Sequence, residues 1–328
     1  MSISEQEIKE LSFSFGLQMT ELEKTKTGKF NQTYILHIEP EASDFTEGRI
    51  EQKKIVLRIA PRPEADFIFY EEQMMAREPE IHNEVLQKTE LPVPKIYIYD
   101  NSRKIIDRDF MLMEYIPGTP LSGLSLASDT EEEIMEKTGY YLRQLHENCR
   151  GEQFGYLKNP HTGLEDSWWR AFSTMWANLI LDLETREIYD KKQADRARKV
   201  LRQYESIFPE PSQASLLHMD IWGQNILLEE NKISGILDWD RSVWGDPEIE
   251  FAVLDYCGFN NPAFWRGYGQ QPEQNREFKI RARFYHLYEV QKYPIIWHKR
   301  APQPKRLEEY KNYSLNELKK LECGAVKV

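Results

Sequence analysis

Two short segments are the most informative part of this chain: His218-Met219-Asp220-Ile221-Trp222-Gly223-Gln224-Asn225 and Ile236-Leu237-Asp238-Trp239-Asp240. Short apolar stretches at 215–217, 226–228 and 233–237 surround them and read as strands, with a polar turn at 229–232. Because the last two strands would form a hairpin, we expect Asp238 to lie beside Asn225.

The order of these polar residues matches a known catalytic pattern. In protein kinases an H-x-D-x-x-x-x-N loop supplies the Asp that accepts the proton of the acceptor hydroxyl, and its Asn and a later Asp bind Mg²⁺. Phosphoryl transfer depends mainly on positioning and on neutralising phosphate charge, and Mg²⁺ prefers oxygen ligands. The spacing therefore predicts Asp220 as the catalytic residue, with Asn225 and Asp238 as catalytic metal ligands. Asp and Asn are also common turn residues, so the prediction depends on both segments together.

The chain resembles the aminoglycoside phosphotransferase and choline-kinase-like family, small-molecule relatives of the protein kinases. The resemblance is carried by Leu217-His218-x-Asp220-x4-Asn225-Ile226-Leu227, Gly235-Ile236-Leu237-Asp238-Trp239-Asp240, Trp244-Gly245-Asp246-Pro247-x-x-Glu250-Phe251-Ala252, Leu91-Pro92-Val93-Pro94 and Met113-Glu114-Tyr115-Ile116-Pro117-Gly118. It implies an α+β, protein-kinase-like fold with a small N-terminal antiparallel-sheet lobe and a larger, mainly helical C-terminal lobe. One departure is Met219, where the family usually has Gly.

The expected boundary between the lobes lies near residues 114–120, where an apolar strand runs into Pro117-Gly118-Thr119-Pro120. We expect a nucleotide-binding lobe at 1–115 and a catalytic and substrate-binding lobe at 116–328. The resemblance implies that backbone groups near Glu114 and Ile116 bind the adenine edge and that Met113 lines the pocket.

The resemblance also implies ATP, with GTP as an alternative, and Mg²⁺ as cofactors. The segment 27–32, which includes Asn31, lies between predicted strands at 22–26 and 33–38 and by itself is typical of an ordinary hairpin turn. The resemblance implies that the backbone amides of this turn cover the phosphates. Arg58, in a β-branched strand at 54–59, would pair with the α- and β-phosphates, because a guanidinium bonds phosphate oxygens at two points. A helix starting near Arg77, with Pro in its first turn, would supply the carboxylate that holds Arg58. Glu78 is aligned with the family's glutamate, and the alternatives are Glu80 and Glu84.

Candidates for the acceptor site lie in the C-terminal half of the chain. A predicted helix at 167–176 has three candidate tryptophans, and a carboxylate and further aromatic residues follow the metal-binding segment. These side chains could hold a cation or an apolar ring system. The candidates are Trp168, Trp169, Trp176, Asp255, Tyr256 and Trp265.

The identity of the acceptor stays open. An aminoglycoside, a macrolide, choline or ethanolamine, a fructosamine and a metabolic alcohol all fit hydroxyl chemistry, so the role is either antibiotic resistance or metabolism. The net charge of −11 favours a cationic small molecule and opposes binding to nucleic acid, which requires Lys and Arg to displace counterions.

Composition agrees with a two-lobe enzyme. The 328 residues are 40% hydrophobic, enough for two cores. Three cysteines without a C-x-x-C pair argue against a disulfide framework and a zinc site. The polar, acidic start is unlike a signal peptide, and no apolar run is long enough to span a membrane, so we expect a cytoplasmic protein without a membrane partner.

Two alternatives belong to other classes. A catalytically silent, pseudokinase-like scaffold would bind nucleotide without turnover, although the intact Asp220, Asn225 and Asp238 argue against it. A protein kinase would need an activation segment and an Ala-Pro-Glu motif. Residues 240–245 are too few for a peptide platform.

Overall fold

The computed structural model describes residues 3–25, 30–39, 44–45, 48–49 and 52–324. Within them, five antiparallel strands form a sheet in the order β1-β2-β5-β7-β6, and β3 pairs with β4. The strands of this half are β1 (Met19–Lys24), β2 (Gln32–Ile38), β3 (Asp44–Phe45), β4 (Gly48–Arg49), β5 (Lys54–Ile59), β6 (Ile96–Asp100) and β7 (Phe110–Glu114).

The alternation of side chains along β5 places the cation expected to bind phosphate. Ile55, Leu57 and Ile59 are fully buried in a core with α1 (Glu5–Ser14). Because successive strand residues point to opposite faces, Arg58 points the other way, toward α2 (Met74–Lys88). The predicted strands at 33–38 and 54–59 are confirmed.

The helix predicted to start near Arg77 begins three residues earlier, at Met74. Pro79 therefore lies inside α2 and not in its first turn, which corrects the expected start. The added residues Met74, Met75 and Ala76 are buried, so packing of this first turn outweighs the hydrogen bond that the proline cannot donate.

The second half is mainly helical, as predicted. Its helices are α3 (Ser128–Asn148), α4 (Trp168–Thr185), α5 (Lys191–Arg202), α6 (Glu248–Tyr256), α7 (Pro262–Tyr268), α8 (Arg276–Val290), α9 (Lys292–Ile295) and α10 (Pro304–Glu322). The largest hydrophobic core lies here, between α4, α5, α8 and the catalytic segments.

Short strands hold the catalytic segments in place. They are β8 (Thr119–Pro120), β9 (Arg150–Gly151), β10 (Ala214–Leu217), β11 (Ile226–Glu229), β12 (Lys232–Ile236) and β13 (Val243–Gly245). The predicted hairpin is confirmed: β11 and β12 are antiparallel, with Ile226 opposite Ile236. Its turn residues Glu230 and Asn231 have φ values of 49° and 62°, as the tightest hairpin turns require.

In the part of the chain that the structure describes, no helix combines the length and the apolar composition needed to cross a bilayer. The mixed architecture, an antiparallel sheet followed by a helical half, confirms the predicted fold class.

Candidate active site

The loop between β10 and β11, which was predicted to be the catalytic loop and is called so below, brings Asp220 and Asn225 together. Asn225 Nδ2 donates to Asp220 Oδ2 at 2.7 Å and to the Asp220 carbonyl oxygen at 2.9 Å. The Asp220 side chain is 27% exposed, whereas Asn225 is buried. The loop therefore presents one carboxylate to the cleft and fixes its orientation from below.

His218 supports this loop from inside the protein. Its Nδ1 accepts from the backbone N–H of Asp220 at 3.1 Å, so its Nε2 is the nitrogen that donates to the Leu237 carbonyl at 3.0 Å. Burial lowers the pKa of His218, which is consistent with a neutral ring. The imidazole thus links the catalytic loop to the residue before Asp238.

Met219 has a backbone conformation that favours glycine. Its φ is 65°, a left-handed conformation that L side chains adopt at a cost of about 1–3 kcal/mol. The backbone is held there because Met219 N–H donates to Glu250 Oε1 at 2.6 Å, while Glu250 Oε2 accepts from His218 N–H. Buried packing of the Met219 side chain offsets part of the strain.

Arg58 lies at the centre of a carboxylate cluster. Its Nη1 bonds Glu78, and its Nη2 donates to Asp238 Oδ1 at 3.0 Å and to Asp240 Oδ2 at 3.3 Å. Of the three glutamates considered, Glu78 is thus the one that contacts Arg58. The alternatives pair elsewhere: Glu80 contacts Lys158 and Glu84 contacts Lys88.

The charges of this cluster do not balance, since one guanidinium faces three carboxylates. Burial alone would lower the pKa of Arg58, but Glu78, Asp238 and Asp240 outweigh it and raise that pKa. For Asp240, burial and the nearby Asp238 and Glu78 raise the pKa well above its ordinary value. A bound cation would relieve this excess of negative charge.

Asn31, which directly precedes β2, reaches the same cluster. Its Nδ2 donates to Asp240 Oδ2 at 3.3 Å, although the two residues are 209 positions apart. The preceding residues 26–29, which include the first half of the predicted phosphate-covering turn at 27–32, lie outside the described residues. Asn31 therefore meets Arg58, Glu78, Asp238 and Asp240 in one cleft.

Sequence reasoning missed a second charged network behind Asp220. Arg241 Nη1 donates to Asp220 Oδ1 at 3.3 Å, and its Nη2 donates to both oxygens of Glu289 at 2.8 and 3.1 Å. Lys292 donates to Glu289 Oε2 at 2.7 Å. Arg241, Glu289 and Lys292 are all buried, so the network ties the Asp220 carboxylate to α8 and α9.

The lowered pKa of Glu289 leads us to expect that the protein loses folding stability in acid. Burial would raise the pKa of Glu289, but Arg241 and Lys292 lower it to about 2. Since this is below the ordinary value of about 4.3, its stabilisation is complete above about pH 5 and is lost as pH falls toward 2. We expect Glu289→Gln to lower the free energy of unfolding at pH 7 by about 3–5 kcal/mol, because two buried cations lose their carboxylate.

Urea unfolding at pH 7, 5, 4 and 3 measures this effect. The difference in unfolding free energy between wild type and Glu289→Gln should shrink as pH falls below about 4. Glu277→Gln, an exposed carboxamide substitution on the same helix, is the control and should track the wild type. A difference that stays constant down to pH 3 would rule out the proposed electrostatic origin.

The residues expected to bind adenine lie at the end of β7. Met113 is 5% exposed and packs with Met75 and Met111. Glu114 N–H donates to the Lys95 carbonyl at 2.8 Å, so this N–H is already used by the sheet. Ile116 packs against Gly235 of β12. The adenine contacts of Met113, the Glu114 carbonyl and the Ile116 backbone stay predictions.

The structure corrects the prediction that Trp168 and Trp176 of α4 contact the acceptor. Trp168 and Trp176 are 0% and 1% exposed, and their ring N–H groups donate to the Tyr285 hydroxyl and the Ala197 carbonyl. They cannot contact an acceptor in this conformation, because helical spacing turns them into the core. Trp169 is half-buried against Phe208, at 5.2 Å between ring centres, and its acceptor contact stays a prediction.

Asp255 and Trp265 line a cavity of about 630 Å³ with His286 and Tyr313. Among the described residues, its walls come mainly from α6, α7, α8 and α10 and not from the catalytic loop. Tyr256 is 45% exposed beside it, with its ring 6.3 Å from His286. Acceptor contacts of Asp255, Tyr256 and Trp265 therefore stay predictions for a region next to α6.

Trp222 is a further candidate that sequence reasoning did not single out. It lies in the catalytic loop two residues after Asp220, and it is 41% exposed despite its large apolar surface. The available signal was its position between Asp220 and Asn225, because exposure of a single apolar side chain is common on protein surfaces and does not by itself indicate binding.

The sequence is similar to a known enzyme family and to named bacterial proteins. The model of the phosphotransferase enzyme family matches residues 40–281. A relative from Vibrio vulnificus, named "Probable ketoamine kinase", is 24% identical over 213 residues, which cover 62% of this chain and 68% of the relative.

Solved structures share the fold over almost the whole chain. The "Putative fructosamine-3-kinase" from Haemophilus somnus has a TM-score of 0.68 at 16% identity and covers 96% of this chain and 95% of its own. A thermostable mutant of the aminoglycoside phosphotransferase APH(4)-Ia, in a ternary complex with AMP-PNP and hygromycin B, has a TM-score of 0.61 at 14% identity and covers 97% of this chain and 98% of its own. These structures show the shared fold, and the family match together with the relatives shows that this chain belongs to the phosphotransferase enzyme family and is a small-molecule phosphotransferase.

Proposed function

We propose that this protein transfers the γ-phosphoryl group of ATP to a hydroxyl group of a small molecule. The observation that carries the proposal is the meeting, in one cleft, of Asp220 with Asn225 at 2.7 Å and of Arg58 with Asp238 at 3.0 Å. These groups supply the proton acceptor, the metal ligands and the phosphate-binding cation that the reaction requires.

Asp220 would orient the acceptor hydroxyl and take its proton. Its carboxylate is open to the cleft and held by Asn225 and Arg241, so it needs little reorganisation before the reaction. Arg58, held by Glu78, would steady the α- and β-phosphates. We also propose 1–115 and 116–328 as the nucleotide and catalytic lobes, and the cytoplasm, where ATP is available, as the location.

Asn225 and Asp238 would hold Mg²⁺. Asp238 is 44% exposed, and the excess negative charge around Arg58 fits a cation at this point. No group of three or more His, Cys, Asp or Glu side chains suited to a metal occurs among the described residues. That fits Mg²⁺, which is commonly held by one or two protein groups together with substrate phosphates. Bound Mg²⁺ would neutralise charge on the transferred phosphoryl group.

A sugar-derived amine of the ketoamine class is our first candidate acceptor. Curated relatives from several bacteria are named as ketoamine kinases, and a solved structure with the same fold is named as a fructosamine kinase. An aminoglycoside is the second candidate, because structures with this fold hold hygromycin B or gentamicin. Both classes carry hydroxyl groups and a cationic amine.

A coupled ADP-release assay with ATP and Mg²⁺ tests the proposal across fructosamines, aminoglycosides, macrolides, choline and ethanolamine. We expect release to depend on a ketoamine or an aminoglycoside. If nucleotide binds but no acceptor stimulates release, the silent-scaffold alternative gains support. If nucleotide does not bind, both nucleotide-based functions are excluded.

Trp222 should contribute to acceptor binding. We expect Trp222→Ala to raise the acceptor KM by about three- to tenfold, because a stacked ring is worth about 0.5–1.5 kcal/mol, and to leave the nucleotide KM unchanged. Steady-state kinetics with the best acceptor measures both. Phe13→Ala, which removes a 78% exposed ring from α1, is the matched control. An unchanged acceptor KM would remove Trp222 from the site.

A further inference from the structure

Arg300 connects the C-terminal part of the chain to a segment between β5 and α2. It ends a single π-helical turn, Ile296–Arg300, that follows α9. Its Nη1 and Nη2 donate to Oε1 and Oε2 of Glu71 at 2.8 and 2.9 Å. Glu71 is buried and also accepts from the N–H of Ile68 at 2.7 Å. A two-point bond to a fixed carboxylate leaves the guanidinium plane little freedom.

The guanidinium also lies against Phe30, with 5.8 Å between its central carbon and the ring centre. The ring of Phe67 meets Phe30 at the same distance and an angle of 62°. Phe67 is itself held, because its carbonyl accepts from Arg186 of the segment after α4 at 2.5 Å. Phe30 is therefore fixed between a cation and an aromatic ring that both have anchored positions.

Phe30 directly precedes Asn31, which donates to Asp240 in the carboxylate cluster. Asp240 Oδ2 is also 3.3 Å from Arg58. A shift of Phe30 would therefore move Asn31 away from the groups expected to meet the nucleotide.

We propose that Arg300 is a positioning residue for the nucleotide side of the active site. By holding Phe30 it holds Asn31 against Asp240, next to Arg58. The inference rests on the proposed function, since it concerns the binding of ATP at those residues. A purely stabilising ion pair with Glu71 would act on unfolding but would not act through Phe30.

A double-mutant cycle separates these two roles. We expect Arg300→Ala and Phe30→Ala each to raise the KM for ATP by about three- to tenfold. This is the scale expected when one cation–π contact is lost and Asn31 shifts from its position beside Asp240. The acceptor KM should change by less than about twofold. Because both variants break the same contact, the double variant should be no worse than the poorer single variant.

Arg306→Ala is the matched control. Arg306 lies over the ring of Trp297 at 5.7 Å, so it loses a similar contact in the same region without touching Phe30. Its kinetics should equal those of the wild type.

Three results would overturn the proposal: an unchanged KM for ATP in Arg300→Ala, effects of the two substitutions that multiply in the double variant, or equal changes in both KM values. If Arg300→Ala does not fold, Phe30→Ala decides alone, since it leaves the bond to Glu71 intact, and an unchanged KM for ATP again overturns the proposal. Titration of the wild type with a fluorescent ATP analogue separates this failure from that of the function: without binding, the proposed function fails as well.

Discussion

Replacing Asp220 by Ala should lower kcat by about 10²–10⁴-fold, the usual contribution of a positioned proton acceptor. The acceptor hydroxyl would lose the group that orients it and takes its proton, whereas Asn225, Asp238 and Arg58 would remain in place. We therefore expect the affinity for ATP to change by no more than about threefold.

Coupled ADP release and titration with a fluorescent ATP analogue measure these two quantities separately. Asp195→Asn, at a 58% exposed position on α5, controls for the loss of one surface carboxylate and should leave kcat unchanged. Normal turnover in Asp220→Ala would contradict the assigned chemistry. Loss of ATP binding together with turnover would instead show that Asp220 organises the nucleotide site.

Removal of Arg58 should lower both the stability of the protein and its affinity for ATP. Arg58→Ala would leave Glu78 and Asp240 buried without their cation, and breaking a buried ion pair in this way costs about 3–5 kcal/mol. The KM for ATP should also rise, because the guanidinium that we propose for the phosphates is absent. Arg58→Lys keeps the charge but not the two-point geometry, so we expect it to fall between wild type and Arg58→Ala.

Urea unfolding and ATP titration test this prediction. Arg266→Ala is the control: Arg266 also bonds two glutamates, Glu132 and Glu136, but all three side chains are at least half exposed, so the cost should be below about 1 kcal/mol. If Arg58→Ala is as stable as Arg266→Ala, Arg58 does not stabilise the buried carboxylates of Glu78 and Asp240, and the prediction is wrong.

The hairpin that presents Asn225 and Asp238 could be predicted because its signals are local. A polar turn between two apolar stretches requires only neighbouring residues, and the spacing of Asp220 and Asn225 is set within one loop. Strand alternation also explains why Arg58 lies on the face of β5 that points toward α2.

Other features depend on contacts that the sequence does not encode locally. Arg241 and Glu289 are 48 positions apart, and nothing near either residue indicates the partner. Trp168 and Trp176 looked like candidates for ligand contact because composition does not show which side of a helix faces the core. Which of Glu78, Glu80 and Glu84 faces Arg58 depends on how α2 is oriented about its axis. The sequence did not define this orientation, because the predicted helix start was three residues too late.

Transfer of the γ-phosphoryl group to the acceptor can be observed by ³¹P NMR of a mixture of the protein, ATP, Mg²⁺ and the acceptor that gives the highest ADP release. We expect the γ-phosphate signal of ATP to decline while a phosphomonoester signal of the acceptor grows in equal amount, and neither change to occur with Asp220→Ala. If ATP is consumed and only inorganic phosphate appears, the protein does not transfer the phosphoryl group to that acceptor, and the proposed phosphotransferase activity is wrong.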